Sequence, residues 1–235
     1  EVIGISIASI ADEMCETFGR ASYSTNIKER RDCSTVIFDA TVLTLYQAEH
    51  NPIHLVALMG GVEAILELHD VADIGEGDMF IGNDAYTGGG THLPDIVLAA
   101  PIFYNGDLVG WATNLAHHAD FVDRGHAHIY QEGLRIPFVK AHARGQPNRA
   151  LLDLVFSNVR VPDEREGDFH AMLAWCHTAQ QRLSELVGRF GSGGIASAMA
   201  MLLDRAEARM RDAIADVGDG AYAYEDYLDA DRDGR

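Results

Sequence analysis

The 235-residue sequence contains very little lysine and no long apolar run. Only Lys28 and Lys140 are lysines, and 18 basic residues stand against 36 acidic ones, which gives a formal net charge of -18. A surface this acidic repels phosphate backbones and anionic lipids, so neither a nucleic acid nor a membrane is an expected partner. No apolar stretch approaches the roughly 20 residues that a membrane-spanning helix needs.

Cysteine is scarce as well, and its spacing excludes two classes of protein. Cys15, Cys33 and Cys176 are odd in number and far apart, and none of them belongs to a CxxC pair. The pattern excludes a disulfide scaffold and a cysteine-based zinc site, and it favours reduced thiols in a cytoplasmic protein. The sequence also lacks a GxSxG motif, so nucleophilic serine catalysis has no support.

What the sequence does contain is typical of a folded globular protein. Hydrophobic residues make up 47% and charged residues 23%, and a chain of this length can bury one large core or two small ones. It begins at Glu1 without a methionine and stops in an acidic turn. We therefore expect a piece of a longer polypeptide.

Hydrophobic periodicity predicts an α+β fold with a mixed, largely antiparallel β region and packed helices. An amphipathic helix through Ile3 and Phe18 opens the sequence. The other predicted elements of the first part are strands at 35–40 and 42–46, a short helix at 61–69, a strand from Met79, and a hairpin at 95–115.

The pattern changes after Gly145 to two long helices. They cover residues 167–190 and the stretch after the glycine-rich break at 191–194, and we expect them to form an antiparallel hairpin. A new strand is predicted near Tyr222 to Tyr227. We therefore divide the sequence into an α+β region, residues 1–145, and a second region, residues 146–235, that contains the helical hairpin and the start of a further β region.

The predicted hairpin brings two polar residues together at its open end. Asn105-Gly106, the dipeptide most typical of a tight hairpin turn, separates strands 95–104 and 108–115. A two-residue turn sets Asp95 beside Ala116, whereas a three-residue loop sets it directly opposite His117. Side chains opposed in a ladder have Cβ atoms about 5 Å apart.

Histidine and aspartate concentrate around this hairpin. His92 and Asp95 lie three residues apart in a Pro-containing stretch, and His117 follows on the paired strand. Imidazole and carboxylate together favour zinc, manganese or iron over calcium or magnesium. Because neighbouring strand residues point to opposite faces, His117 and His118 are not expected to bind one ion together. The alternative is that these are structural polar residues at strand ends.

The glycine run at 88–90 does not indicate a nucleotide site. It lacks the Lys-Ser or Lys-Thr that completes a phosphate-binding P-loop. A tight turn that carries His92 is the better interpretation.

An ordered set of motifs along nearly the whole chain resembles the B component of the hydantoinase/oxoprolinase family, which includes N-methylhydantoinases, 5-oxoprolinases, caprolactamase and the acetone and acetophenone carboxylases. The motifs are 24–30 (STNIKER), 53–55 (IHL), 77–78 (GD), 83–84 (ND), 89–95 (GGTHLPD), 117–120 (HHAD), 131–137 (QEGLRIP), 158–162 (NVRVP), 167–168 (GD) and 220–229. The match corresponds to the N-terminal portion of a hydantoinase B polypeptide.

The resemblance implies one divalent metal ion in the first region of the chain. Its ligands would be an aspartate on an early strand, the histidine and aspartate of THLPD, and the first histidine of HHAD. Carried over to this sequence, they are Asp39, His92, Asp95 and His117. Only Asp39 does not also follow from the predicted hairpin.

The remaining residues of the HHAD motif are candidates for proton transfer or for orienting the ligands. His118 and Asp120 follow His117 closely, and a purely structural role is an equal alternative. The sequence departs from the family directly afterwards, because residues 121–126 replace a longer glycine-rich loop. A substrate role for that loop is not carried over.

The resemblance also implies an enzyme of two components in a hetero-oligomer. A hydantoinase A-type partner would use ATP and Mg²⁺ to phosphorylate the carbonyl oxygen of a small amide or ketone, and this chain would complete the reaction at its metal. Hydrolysis of a cyclic amide or imide is the first expectation, and carboxylation of a ketone is the second. A third hypothesis is a non-catalytic component whose ion serves stability alone, which closed coordination by four protein ligands would favour.

Overall fold

The structure is a computed structural model that describes residues 2–48, 51, 53–118 and 127–227, with the side chains of residues 55 and 56 left aside. The described part of the chain forms an antiparallel sheet with six α-helices and two 3₁₀ turns. The strands are β1 (Cys33–Asp39), β2 (Thr44–Ala48), β3 (Met79–Gly82), β4 (Asp95–Tyr104), β5 (Asp107–His117), β6 (Val139–Ala143) and β7 (Gln146–Pro147). The helices are α1 (Val2–Ala21), α2 (Thr25–Lys28), α3 (His54–Leu68), α4 (Arg149–Ser157), α5 (Pro162–Phe190) and α6 (Ser192–Val217), and the 3₁₀ turns are Val71–Asp73 and Ile129–Gln131.

The seven described strands lie in the order β2-β1-β5-β4-β3-β6-β7, and every neighbouring pair is antiparallel. The predicted α+β class with a largely antiparallel sheet is therefore confirmed. The long hairpin β4–β5 occupies the centre of the sheet, where both of its strands are paired on both sides.

Helices cover both faces of this sheet. Side chains alternate along the central strands, so that Val97 and Leu115 face α3 while Ile96 and Ala116 face α1 and α5. This alternation follows from the two-residue repeat of a strand. Each fully buried large apolar side chain stabilises the fold by about 1.5–3 kcal/mol, and the long unbroken burial of β4 reflects packing on both faces.

The register of the central hairpin combines the two predicted alternatives. The turn has two residues, because Tyr104 pairs with Asp107 around Asn105-Gly106, and a β-bulge between Ile102 and Phe103 then shifts the register by one residue. Asp95 consequently pairs with His117, the arrangement expected of the longer loop. The bulge, rather than the turn, aligns these two residues.

Helix α5 packs on the sheet and on α1, so the two predicted regions share a core. Phe169, Met172 and Leu183 of α5 belong to the same buried cluster as Ile7 of α1 and Leu98 of β4. The two predicted C-terminal helices are present, and the chain turns by 108° between them at Gly191. The pair is therefore more open than a tight antiparallel hairpin.

The strand predicted near Tyr222 to Tyr227 does not form. The backbone at residues 221–227 is irregular, and Tyr222, Tyr224 and Tyr227 are exposed. Alternating tyrosines indicate a strand only when another strand lies alongside, and none of the described strands does.

The described helices give little indication of a membrane span. None of them is by itself long and apolar enough to cross a bilayer, and only α5 and α6 counted together reach that length and composition.

Candidate metal centre

Three side chains converge at the open end of the central hairpin. Asp95 begins β4, His117 ends β5, and His92 lies in the turn that leads into β4. The Oδ1 atom of Asp95 lies 3.2 Å from Nδ1 of His117 and 3.4 Å from Nε2 of His92, and the two imidazole nitrogens are 2.9 Å apart. The two rings stack with their centroids 4.8 Å apart. The structure thus gathers three of the four residues predicted as metal ligands.

Thr91 fixes the orientation of the Asp95 carboxylate. The backbone N–H and the hydroxyl of Thr91 both donate to Oδ2, at 3.1 and 2.7 Å. Oδ2 is therefore occupied by hydrogen bonds, and Oδ1 is the oxygen that faces the two histidines. The turn depends on Gly90, whose φ is +96° and where a Cβ atom would lie 2.7 Å from the Cβ of Asp95.

Glu132 holds His92 in place from the opposite side. One of its carboxylate oxygens accepts from the backbone N–H of Leu93 at 3.2 Å, and the other lies 3.2 Å from Nδ1 of His92. A proton on Nδ1 of His92 is donated to this carboxylate, and Nε2 is the ring nitrogen that faces Asp95. Carboxylates that orient histidines in this way are typical of metal sites.

His54 and Asp32 extend the cluster towards β1. His54 begins α3 and is buried, with its Nε2 atom 3.5 Å from Oδ1 of Asp32 and 4.0 Å from Oδ1 of Asp95. Asp32 also accepts from Asn51 at 2.7 Å, and its carbonyl oxygen accepts from the backbone N–H of His117 at 2.9 Å. Asp32 therefore links the segment before β1 to the end of β5.

The electrostatics of the cluster favour an ionised Asp95. Burial alone raises the pKa of this carboxyl, but hydrogen bonds with His117, His92 and Thr91 outweigh burial and hold the pKa well below its usual range. The hydrogen bond to Asp95 raises the pKa of His92, whereas burial lowers the pKa of His54. The centre thus concentrates negative charge on one oxygen surrounded by imidazole nitrogens.

The donor set fits a divalent transition-metal ion. Zinc binds imidazole and carboxylate at about 2.1 Å in tetrahedral geometry, which places neighbouring donor atoms about 3.4 Å apart. The three donors of this cluster are separated by 2.9, 3.2 and 3.4 Å. Mixed nitrogen and oxygen donors exclude a site built for calcium, which takes six to eight oxygen ligands.

The structure does not bring Asp39 to this centre. Asp39 ends β1 and pairs with Gly110, whereas Cys33 at the other end pairs with Ala116. Six residues of strand separate the two ends by about 20 Å. The Asp39 carboxylate instead accepts from Thr41 and Leu43 in the turn before β2. Instead, Asp32 borders the centre. It lies directly before β1, and no sequence pattern indicated it as a candidate.

His118 lies on the other face of the sheet from His117, as strand alternation predicted. Its ring is buried against α5, with Nε2 3.4 Å from Sδ of Met172, and burial lowers its pKa to about 4. It does not contact the three donor atoms, so the suggested proton-transfer role has no geometric support. Asp120 lies outside the described residues.

Neither His54 nor Glu132 was singled out from the sequence. Each lies within a motif that carried the family resemblance, 53–55 and 131–137, but neither follows the ligand spacing of the hairpin. Their proximity to the centre arises from the packing of α3 and of the 3₁₀ turn Ile129–Gln131. Membership of these two motifs was therefore the sequence signal that could have indicated His54 and Glu132.

An open cleft of about 480 Å³ adjoins the centre. Its lining includes His92 and Glu132 of the cluster together with Tyr86, His128 and Ile129. Tyr86 is held beside the guanidinium of Arg135, which pairs with Asp84 at 2.7 Å. The cleft gives a small molecule access to the exposed side of His92.

Comparison with known proteins agrees with this architecture. Residues 1–234 match the sequence model of the family described as hydantoinase B/oxoprolinase. The chain therefore belongs to the hydantoinase B/oxoprolinase family. It spans about two fifths of the length of the curated relatives it matches.

Two of the similar proteins are named as a hydantoinase component and a caprolactamase. It is 30% identical, over 97% of its length and 40% of the relative's, to the B component of a putative D-/L-hydantoinase from Pseudomonas sp. strain NS671. The crystal structure of the ATP-dependent caprolactamase from Pseudomonas jessenii superposes with a TM-score of 0.87 at 31% identity, covering 99% of this chain and 41% of that one.

A more distant structure shares the fold. Nucleotide-free acetone carboxylase superposes with a TM-score of 0.75 at 21% identity, over 83% of this chain and 26% of that one. At this identity the similarity concerns the fold alone.

Proposed function

We propose that this chain forms the metal-dependent part of a B-type component in an ATP-dependent hydrolase of cyclic amides or imides. The observation that carries the proposal is the convergence of Asp95, His92 and His117, whose donor atoms lie within 3.4 Å of one another. The hydantoinase and caprolactamase relatives support hydrolysis as the reaction.

His92, Asp95 and His117 would hold one zinc, manganese or iron ion. When bound, the ion supplies Lewis-acid chemistry, because it polarises an oxygen atom of the substrate or of water. Thr91 and Glu132 keep the donor atoms oriented by hydrogen bonds. The buried His54 and the partly exposed Asp32 add a polar layer behind them.

The cleft beside the centre suits a small uncharged substrate. Its described lining carries one carboxylate, Glu132, and no lysine or arginine. Apart from the proposed ion, the described lining therefore offers no fixed cation to pair with a substrate carboxylate. Glu132 also lies beside His92, close enough to the cleft to accept a proton from a substrate group bound there.

We further propose that an A-type partner supplies the ATP-dependent step. An amide is a poor electrophile, and phosphorylation of its carbonyl oxygen would activate it for attack at the metal. The sequence offers no P-loop for ATP in this chain. The hydantoinase relative is by its name one component of an assembly, and the proposal extends that arrangement to this chain.

Metal analysis and titration test the centre. The purified protein is stripped with a chelator, then titrated with Zn²⁺ and Mn²⁺ and analysed for bound metal. We expect one ion per chain and a loss of high-affinity binding in His92→Ala. Asp39→Asn is the matched control, because Asp39 lies at the far end of β1, and it should bind like the wild type. Equal binding by His92→Ala would refute the centre.

Substrate assays test the reaction. The chain, within its full-length polypeptide and with the A-type partner, is incubated with ATP and a hydantoin or lactam, and separately with ATP, bicarbonate and a ketone. Hydrolysis of the cyclic amide supports the proposal. Carboxylation without hydrolysis would replace it with the carboxylase alternative, and retained binding of metal with no activity in either assay would support a purely structural role.

A further inference from the structure

Two of the three cysteines meet in the interior, although they are 18 positions apart in the sequence. Cys15 lies in the middle of α1 and Cys33 begins β1, and both are almost fully buried, at 2% and 1% exposure. Both residues line one cavity and belong to one buried cluster, and the two thiols are close enough to interact. A disulfide between them requires Cβ atoms about 3.8 Å apart.

The pair is reachable by a small oxidant. Cys15 and Cys33 both line a cavity of about 210 Å³, whose other lining residues are mainly charged. Three of them are basic, namely Arg20, Lys28 and Arg31, and two are acidic, namely Glu16 and Glu29. A cavity of this volume admits a molecule of the size of hydrogen peroxide.

The two thiols are not equivalent. Interaction with the Cys33 thiol outweighs burial and lowers the pKa of Cys15. Cys15 is thus the better nucleophile of the two. Cys176, by contrast, lies away from this cavity and accepts from Asn114 at 3.4 Å.

We propose that Cys15 and Cys33 form a reversible disulfide when a peroxide enters this cavity. The Cys15 thiolate attacks one peroxide oxygen, which gives a sulfenic acid and hydroxide. The Cys33 sulfur then attacks the Cys15 sulfur and displaces the second oxygen, and the thiol proton of Cys33 and one from solvent complete two waters. In total, two thiols and one hydrogen peroxide give one disulfide and two waters.

Disulfide formation would displace the segment that borders the candidate metal centre. Cys33 directly follows Asp32, and its ladder partner Ala116 directly precedes His117. An S–S bond of about 2.05 Å is much shorter than any non-bonded contact between two sulfur atoms, so the start of β1 must move towards α1. We therefore expect oxidation to weaken metal binding, an effect that rests on the proposed function.

Oxidation followed by peptide mapping tests the disulfide independently of the metal. The full chain is treated with hydrogen peroxide, free thiols are blocked, and peptides are mapped without reduction. We expect a single Cys15–Cys33 cross-link that dithiothreitol reverses. Cys176→Ser is the matched control and should form the same cross-link, whereas Cys15→Ser and Cys33→Ser should not.

The outcomes separate the two parts of the inference. Recovery of both thiols unmodified, or their conversion to sulfinic acids without a cross-link, would overturn the disulfide. If the cross-link forms, zinc titration of oxidised and reduced protein tests the coupling, with about tenfold weaker binding expected after oxidation. Equal affinities would overturn the coupling and leave the disulfide standing. Absence of zinc binding in the reduced protein would instead count against the proposed function.

Discussion

At the scale of single residues, three carboxylates have different roles because their neighbours differ. Asp95 lies beside histidine side chains that favour its ionised form, Glu132 orients one of those imidazoles, and Asp39 accepts hydrogen bonds in a turn. The same functional group thus has three different roles, set by its neighbours. Residue type alone could not separate them, which explains why Asp39 was a plausible but misplaced ligand.

The first prediction concerns Glu132. In Glu132→Gln the charge that holds Nδ1–H of His92 is lost, and we expect zinc affinity to fall by about 10- to 100-fold. A chelator-competition titration measures the change. Glu67→Gln is the control, because Glu67 lies exposed on α3 and its substitution should leave affinity unchanged. Unchanged affinity in Glu132→Gln would contradict the orienting role.

The second prediction concerns Asp78, which is fully buried away from the centre. Its carboxylate accepts from the backbone N–H groups of Gly75 and Arg144 and pairs with Lys140 at 2.8 Å. Asp78→Asn removes the charge from these contacts, and we expect it to lower the free energy of unfolding by about 2 kcal/mol at neutral pH. Urea denaturation measures this difference.

The difference in the free energy of unfolding between wild type and Asp78→Asn should depend on pH. Burial raises the pKa of Asp78, but its hydrogen bonds to Lys140, Arg144 and Gly75 outweigh burial and lower the pKa below the ordinary 3.8. The folded state therefore favours the ionised carboxylate, and its stabilisation is complete above pH 3.8 and lost as the pH falls through the lowered pKa. The gap between wild type and Asp78→Asn should narrow below pH 3.8. A gap that widened there would contradict the assignment.

At the scale of elements, the turn before β4 carries the centre. Gly90 has a positive φ and no space for a side chain beside Asp95. We expect Gly90→Ala to destabilise the protein by about 1–3 kcal/mol and to weaken zinc binding, because the turn presents both Thr91 and His92. Thermal unfolding and zinc titration measure the two effects. Gly75→Ala, where a Cβ meets nothing within 4 Å, should change neither.

The elements also differ in how far the sequence can predict them. The central hairpin follows from alternating strand residues around Asn105-Gly106, and His92, Asp95 and His117 follow from it. The bulge between Ile102 and Phe103 has no comparable sequence signature, so the sequence alone is compatible with two registers of the hairpin. His54, Asp32 and Glu132 reach the centre through α3, the start of β1 and a 3₁₀ turn, and such long-range packing cannot be read from local periodicity.

At the scale of the whole molecule, an ion would connect separate segments of the chain. His92 lies in a loop, Asp95 and His117 end two central strands, and His54 of α3 borders them. Binding to the folded state alone stabilises it by about 2.7 kcal/mol when free ligand is about 100 times Kd. We expect Zn²⁺ to raise the unfolding temperature and a chelator to reverse the rise. His92→Ala should show neither response, and an equal rise in this variant would place the ion elsewhere.

The β-bulge in the central hairpin has a consequence for how the chain tolerates change. It lies between the Asn105-Gly106 turn and the residues of the centre, and the register from the bulge to Asp95 and His117 is uninterrupted. If the turn gains or loses one residue, a one-residue change at the bulge therefore restores the register, and Asp95 still pairs with His117. Related sequences can consequently differ in the length of this turn while keeping the aspartate and histidine face to face.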